Sequence, residues 1–361
     1  MPLLSLGQKE KSKDIFSNIG LSIIAILLLF VFAEIIIRIA ILYKNKVSFE
    51  KVINSLPKVE QGSKVGFGDM IQPNPNPKII YELRPNLRVY CNNYFTRTND
   101  RGFRSSKNYV LEKKYNTVRI IGLGDSYMFG QGVGQDKDIM SVLESKLNKR
   151  FPQKKWEVIN TAVPGYDTVI EVETLKEKML AYSPDIVIIE FIGNDFQLPN
   201  FIYNTSSWID LNRSFFLDFL IKRYVLLKSN SFKLIGAPAN PRLGWGFEDD
   251  PSAVPEQYRD MVGWSSYVTA MTELRELKEQ HGFDVVSFLT LGFKDERVFN
   301  LSRQLQFYTT YNDAYDLGDP SLLVSKNDIH PSKLGHRMNA EKLLNFMIDA
   351  GIIKKYLNNE D

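Results

Sequence analysis

From about Asn116 onward, short runs rich in β-branched residues alternate with stretches of helical periodicity. TVRIIGLG (117–124), WEVIN (156–160), DIVIIEF (185–191) and FDVVSFLT (283–290) read as strands, and residues near 321–325 as a fifth. Between them, helices are expected over Ile139 to Arg150, Thr168 to Tyr182 and Ser265 to Gln280, with Lys333 to Ala350 closing the chain. Strands that alternate with helices cannot pair as hairpins; each connection must cross over, which makes the sheet parallel and covers both faces. The expected class is therefore α/β, a three-layer α/β/α sandwich, and such sheets gather their sites at the carboxyl ends of the strands.

A different physical regime governs the N-terminus. From Ile19 to Ala33 no residue is charged, and the apolar run continues past Glu34 and Arg38 to Tyr43. Those 25 residues can span a hydrocarbon layer of about 30 Å at roughly 1.5 Å per residue. Glu34 and Arg38 stand one helical turn apart and can pair. The run is longer than a signal-peptide core, and LYKNKVSFEK behind it carries no small-x-small cleavage pattern. It reads as one uncleaved anchor, residues 17–43, behind a short tail, residues 1–16. Lysines flank both ends, so charge bias hardly orients it; the short tail favours a cytoplasmic N-terminus and an extracytoplasmic catalytic domain.

Residues 44–115 read as a stem and prelude, with alternate prolines in IQPNPNPK (71–78) and a basic turn in NDRGFRSS (99–106). Residues 116–361 form the α/β domain, interrupted at about 197–262 by an aromatic-rich insertion. It contains Trp208 and Trp245, with Trp264 at its edge, and the apolar SFFLDFLIKRYVLLK (214–228). This reads either as a cap over the site that touches the bilayer or as an extra helix packed on the domain.

Composition removes several functions. Hydrophobic residues make up 44% and charged residues 24%, ordinary for a folded domain and against disorder. A lone Cys91 closes no internal disulfide, and no Cys/His cluster supplies a zinc site. A formal net charge of +3 is too small to point to nucleic acid. With three histidines, any imidazole base is His281, His330 or His336.

Four short blocks fall where the strands end: GDSY (124–127), VPGYDT (163–168), GND (193–195) and NDIHP (327–331). In this order and placement they resemble the SGNH, or GDSL, hydrolases, over residues 117 to 349. The anchor and the TND-R-GFR prelude resemble those of bacterial membrane-anchored members. The resemblance implies a flavodoxin-like fold, an ester-hydrolysing activity without metal or cofactor, Ser126 as nucleophile, His330 as base, and Ser126, Gly165 and Asn194 as oxyanion donors. Many members carry the supporting acid three residues before the histidine. Here that slot is Asn327, which cannot ionise, and Asp328 is the substitute.

The residue chemistry agrees. A serine hydroxyl needs a base before it attacks a carbonyl. Pro331 biases His330 towards extended backbone, in which side chains two apart point the same way, so Asp328 can reach the imidazole. His336, inside the final helix, reads as structural, and His281 as a helix C-terminal residue. No HExxH, P-loop, EF-hand or GxSxG pattern occurs, and the glycines of GLGDSYMFGQGVG do not make a dinucleotide loop. The expectation is a membrane-anchored serine esterase acting on acyl esters, with O-acetylated envelope glycans as candidate substrates and Arg97, Arg101 and Arg104 as candidate polymer contacts. The alternatives are an O-acyltransferase using the same residues and a non-catalytic, anchored glycan-binding or assembly module.

Overall fold

The computed structural model describes residues 6–203, 214, 216–217, 234–237, 250–290, 295–313 and 318–358. The chain divides into two compact units: residues 1–55 with 203–233, and residues 56–202 with 234–361.

In the first unit one helix, α1 (Leu6–Ser55), carries the apolar run. Its stretch Asn18–Ala40 is long and apolar enough to cross a membrane, with mean hydropathy 2.8 and none of its most apolar window buried. Glu34 and Arg38 pair across one turn at 2.8 Å. The Glu34 carboxylate also accepts the Ser214 hydroxyl at 3.0 Å and the Phe216 N–H at 2.8 Å, and the Phe216 ring meets Phe30 edge-on at 5.1 Å. The helix thus continues beyond the apolar run into residues read as stem. Trp208, Trp245 and most of 214–228 lie outside the described residues.

The second unit is built on five parallel strands: β1 (Thr117–Leu123), β2 (Lys155–Asn160), β3 (Ile186–Phe191), β4 (Asp284–Thr290) and β5 (Tyr308–Asn312). Their spatial order is β5-β4-β3-β1-β2. The chain runs outward from β1 to β2, then back past β1 to β3, so a crevice opens at the carboxyl ends of β1 and β3. β1, β3 and β4 are buried along their whole length, which suits their mostly apolar residues.

The fifth strand corrects the sequence reading. Leu323–Ser325 does not join the sheet; it pairs antiparallel with Asp328–Pro331 in a small hairpin. β5, YTTYN, takes the edge instead, pairing with β4 from Val286↔Tyr308 to Thr290↔Asn312. Only Asn312 of this strand is buried. An edge strand buries little, so its sequence carries no long apolar run to read.

Helices cover both faces. One face packs α4 (Thr168–Thr174) and α5 (Gly263–His281) on the sheet, joining Val172, Tyr267, Met271 and Leu274 to Val187, Ile189, Val285 and Leu289 in one core. The segment after α4 continues through a wider turn, Leu175–Met179, to Tyr182, so the helix expected over Thr168 to Tyr182 is irregular in its second half. On the other face α3 (Ile139–Arg150) packs on β2 and on α7 (Lys333–Asp349). Two further helices, α2 (Ser126–Phe129) and α6 (Glu296–Gln304), are short. Each buried Leu, Ile or Val side chain contributes about 1.5–3 kcal/mol, so these two cores supply the main drive for folding.

Residues 56–115 are part of this second unit. Their short strands end in contacts that matter below. The Tyr81 hydroxyl donates to the Pro164 carbonyl at 3.0 Å, and Tyr166 donates back to the Tyr81 carbonyl.

Candidate active site

Three of the segments that carry site residues stop where a helix begins, and a side chain caps each of those helices. Asp125 accepts the Tyr127 N–H and starts α2; Asp167 accepts the Ile170 N–H and starts α4; Ser332 accepts the Gly335 N–H and starts α7. Caps satisfy amides that would otherwise be orphaned, so they fix where the chain turns. Ser126, Gly165 and His330 lie one or two residues before or after these caps, which is why short loops hold them in place.

The structure brings Ser126, His330 and Asp328 together. Ser126 Oγ lies 2.8 Å from His330 Nε2, and His330 Nδ1 lies 2.5 Å from Asp328 Oδ1. Asp328–Pro331 is extended, so residues 328 and 330 share a side, and the Asp328 carboxylate also accepts the His330 N–H at 3.1 Å. Asn327 is exposed and holds only the turn, donating its N–H to Ser325. Ser126 and His330 are buried, at 6% and 8% exposure, so their hydrogen bond faces little competition from water. A small apolar cluster of Tyr127, Ile192 and Leu322, with Ile329 and Leu334 packed on it, ties the histidine hairpin to the nucleophile turn. The Tyr127 hydroxyl also donates to the Ile329 carbonyl at 3.2 Å.

Asp125 is the residue that the motif reading passed over. Its Oδ2 accepts the Ser126 hydroxyl at 2.9 Å and the Asn194 amide at 3.0 Å. The serine has one proton and two acceptors, Asp125 and His330. Burial pushes the Asp125 carboxyl above its ordinary range, against the Tyr127 N–H, the Asn194 amide and the His330 charge, which pull it down. An acidic residue directly before a helix start is a cap signal, and that signal marks Asp125 in the sequence.

Gly165 stands at φ 79°, in the left-handed region, and a Cβ there would lie 2.2 Å from Asn200 Cγ. Its carbonyl accepts the Asn200 N–H at 3.2 Å, while its own N–H donates to none of the described residues. Asn194 presents its amide towards Ser126 through the shared Asp125 carboxylate, and Asp195 braces that loop by accepting the Ile192 N–H at 2.7 Å and the Thr168 hydroxyl at 2.7 Å.

The other histidines do not take part. His281 ends α5 at the surface. His336 is 1% exposed, neither ring nitrogen has a hydrogen-bond partner among the described residues, and burial, with Arg104 and His330 nearby, pushes it down to about 3. Arg104, expected as a candidate polymer contact, does not face a polymer. It is instead 1% exposed and donates to the carbonyls of Phe129, Gly130 and Val133, at 2.5, 2.5 and 2.6 Å. It therefore locks the loop that follows the nucleophile. Among the described residues no three His, Cys, Asp or Glu side chains are placed to hold a metal ion.

The model of the GDSL-like lipase/acylhydrolase family matches residues 123–338. The chain belongs to this family. It is an ester-hydrolysing enzyme with the central parallel sheet of the GDSL, or SGNH, fold. Solved structures similar to it include the psychrotrophic esterase EstA of Pseudoalteromonas sp., at 15% identity and TM-score 0.38, over 67% of this chain and 99% of that one. Another is Axe2, an acetyl-xylooligosaccharide esterase of Geobacillus stearmophilus, at 13% identity and TM-score 0.39, over 64% and 94%. A two-domain esterase active on acetylated mannans matches at 14% identity and TM-score 0.40, over 64% of this chain and 49% of that one. No curated protein matches the sequence.

Proposed function

We propose that the protein is a membrane-anchored serine esterase in which Ser126 is the nucleophile, His330 the general base and acid, and Asp328 the residue that orients His330. The observation that carries this reading is the unbroken relay from Ser126 Oγ through the imidazole to Asp328, at 2.8 and 2.5 Å. With Nδ1–H donated to Asp328, Nε2 is an acceptor aimed at the hydroxyl. Ser126 Oγ attacks the ester carbonyl as its proton passes to Nε2. The tetrahedral oxyanion takes hydrogen bonds from the Ser126 and Gly165 N–H groups and from the Asn194 amide. The imidazolium returns the proton to the departing alcohol. Water then enters and attacks the acyl carbonyl as its proton passes to Nε2; the intermediate collapses, the Ser126 Oγ–acyl bond breaks, Oγ takes the proton back from Nε2, and the carboxylic acid leaves.

The anchor is Asn18–Ala40, whose apolar side chains find no burial inside the protein. A span this apolar is stable in lipid and costly in water. The short tail stays cytoplasmic and the catalytic unit faces the envelope, where O-acylated glycans supply the ester.

The test uses the full chain in detergent. Ser126→Ala abolishes both turnover of a p-nitrophenyl acetate substrate and labelling by a fluorophosphonate, with an unchanged melting temperature. Undiminished turnover in a folded Ser126→Ala variant rejects the site. Extraction of the wild type from membranes by alkaline carbonate rejects the anchor.

A further inference from the structure

We propose that the groove between α3 and α7 is a subsite for an anionic stretch of the ester-bearing substrate, a glycan that carries carboxylate or phosphate groups beside its acyl ester. This rests on the esterase reading above and adds to it the class of polymer.

The groove has a volume of about 560 Å³ and is lined by Lys137, Lys146, Lys333 and Arg337, with a single carboxylate, Asp136. That size is typical of ligand sites. Lys146 is neutralised by Glu341. Lys137, Lys333 and Arg337 form no ion pair among the described residues, although all three side chains are exposed along one concavity. Like charges gathered in a concave surface repel one another and focus a positive potential. Such an arrangement is relieved by an anion with several charged groups. Ser141 and Ser145 add hydroxyls to the wall, and Val142 and Leu334 add an apolar strip, a mixture suited to sugar rings bearing charges.

The position of the groove links it to the reaction. Lys333 follows His330 by three residues, at the start of α7. Leu334 lines the groove and also packs on the Tyr127, Ile192 and Leu322 cluster that braces the histidine hairpin. Lys137 sits on the loop that leaves the nucleophile turn, a loop held at Phe129, Gly130 and Val133 by Arg104. The two chain segments that present Ser126 and His330 thus continue directly into the two walls of the groove. A polymer whose ester lies at Ser126 extends its neighbouring residues along these cations.

The experiment compares the wild type with a Lys137→Ala/Arg337→Ala double variant, both full-length in detergent. The substrates are p-nitrophenyl acetate, an acetylated polyuronate, a phosphorylated acetylated glycan and a neutral acetylated xylan, each at low and high salt. In the wild type, KM for at least one anionic polymer rises with salt, and in the double variant it rises about fivefold at low salt, from the loss of two exposed charge contacts. KM for xylan and turnover of the small ester stay within about twofold. Equal effects on xylan and the anionic polymers, or none on either anionic polymer, overturn the proposal while the small ester is still hydrolysed. If the wild type hydrolyses nothing, the esterase reading fails. Equilibrium binding of the two anionic polymers to Ser126→Ala, with and without the double substitution, then still reads the groove. Loss of binding to phosphatidylglycerol vesicles in the double variant, with polymer binding intact, assigns the cations to lipid headgroups and overturns the subsite.

Discussion

Gly165→Ala probes the oxyanion loop through a single methyl group. The residue sits at φ 79°, where an L-residue costs about 1–2 kcal/mol. The added Cβ would lie 2.2 Å from both Asn200 Cγ and Nδ2 and 2.7 Å from Asn200 Cβ. Ordinary contact begins more than an ångström further out, so one chain must yield, at a further ~1–3 kcal/mol for overpacking. Asn200 is also hydrogen-bonded to the Gly165 carbonyl, so relief moves the loop itself. A shift of that size takes the Gly165 N–H out of reach of the oxyanion, and loss of one such donor lowers kcat by about 10²–10³. Urea denaturation and kcat on p-nitrophenyl acetate, measured on the same samples, separate the two effects. Gly165→Ala loses stability by about 2–5 kcal/mol and kcat by about 100-fold. Adding Asn200→Gly removes the overlap but not the φ cost, so the double variant regains roughly 1–3 kcal/mol and part of the rate. A folded Gly165→Ala enzyme with normal kcat refutes the role of that N–H. A double variant no better than the single refutes the steric account.

Asp328→Asn keeps the shape of the hairpin but removes the charge that fixes the His330 tautomer, so kcat falls by about 10³-fold or more with little change in melting temperature; a pH–rate profile on the small ester checks this. Burial pushes Glu190 up to about 8, with the Thr290 hydroxyl donating to it at 2.6 Å. The native state therefore keeps a proton that the unfolded chain has lost above its ordinary carboxyl range. This contribution is complete at acid pH and disappears as pH rises through 8. Glu190→Gln flattens that decline by a few kcal/mol at most, read from urea midpoints at pH 5, 7 and 9; an unchanged slope refutes the assignment. In the anchor unit, Glu34→Leu removes the acceptor for the Ser214 hydroxyl and the Phe216 N–H. In a Cys91→Ser background, a Phe30→Cys/Phe216→Cys pair is joined in membranes by a short bifunctional thiol reagent, and the yield drops when Glu34→Leu is added.

The parts of the fold that were legible in the sequence are those whose burial forces a pattern. β1, β3 and β4 are rich in apolar residues because the sheet hides them on both faces; β2, at one edge, still buries Trp156, Val158 and Ile159, whereas β5, at the other, buries only Asn312 and offers no apolar run. The relay was legible for a local reason: extended backbone before Pro331 puts Asp328 and His330 on one side, and Asp328 stands next to Asn327, the slot that lacks an acid. Contacts between distant segments left no local trace. Arg104 reads as one more surface cation until Phe129, Gly130 and Val133 are seen to surround it, and Tyr81 reads as part of a stem until its hydroxyl meets Pro164. In both cases the side chain secures a block that holds a candidate site residue, so the prelude acts on the site without touching the reacting atoms.

The charge beneath the site has its own logic. Asp125, Asp167, Glu171, Glu190 and Asp195 are all buried around the crevice, a number of acids that looks hostile to a reaction that builds an oxyanion. Five ionised carboxylates there would repel that charge strongly in so dry a setting. Burial, however, pushes every one of them upward: Asp167 and Glu190 to about 8, and Asp195 and Glu171 well above the ordinary range. Among the described residues neither Glu171 oxygen has a hydrogen-bond partner, and an unpaired charge is costly to bury, in line with the upward direction. Asp125 and Asp167 cap the helices that follow β1 and β2, and Asp195 braces the loop after β3. Asp328, at the edge of the hairpin, differs in place: its side chain is 32% exposed and faces the imidazole.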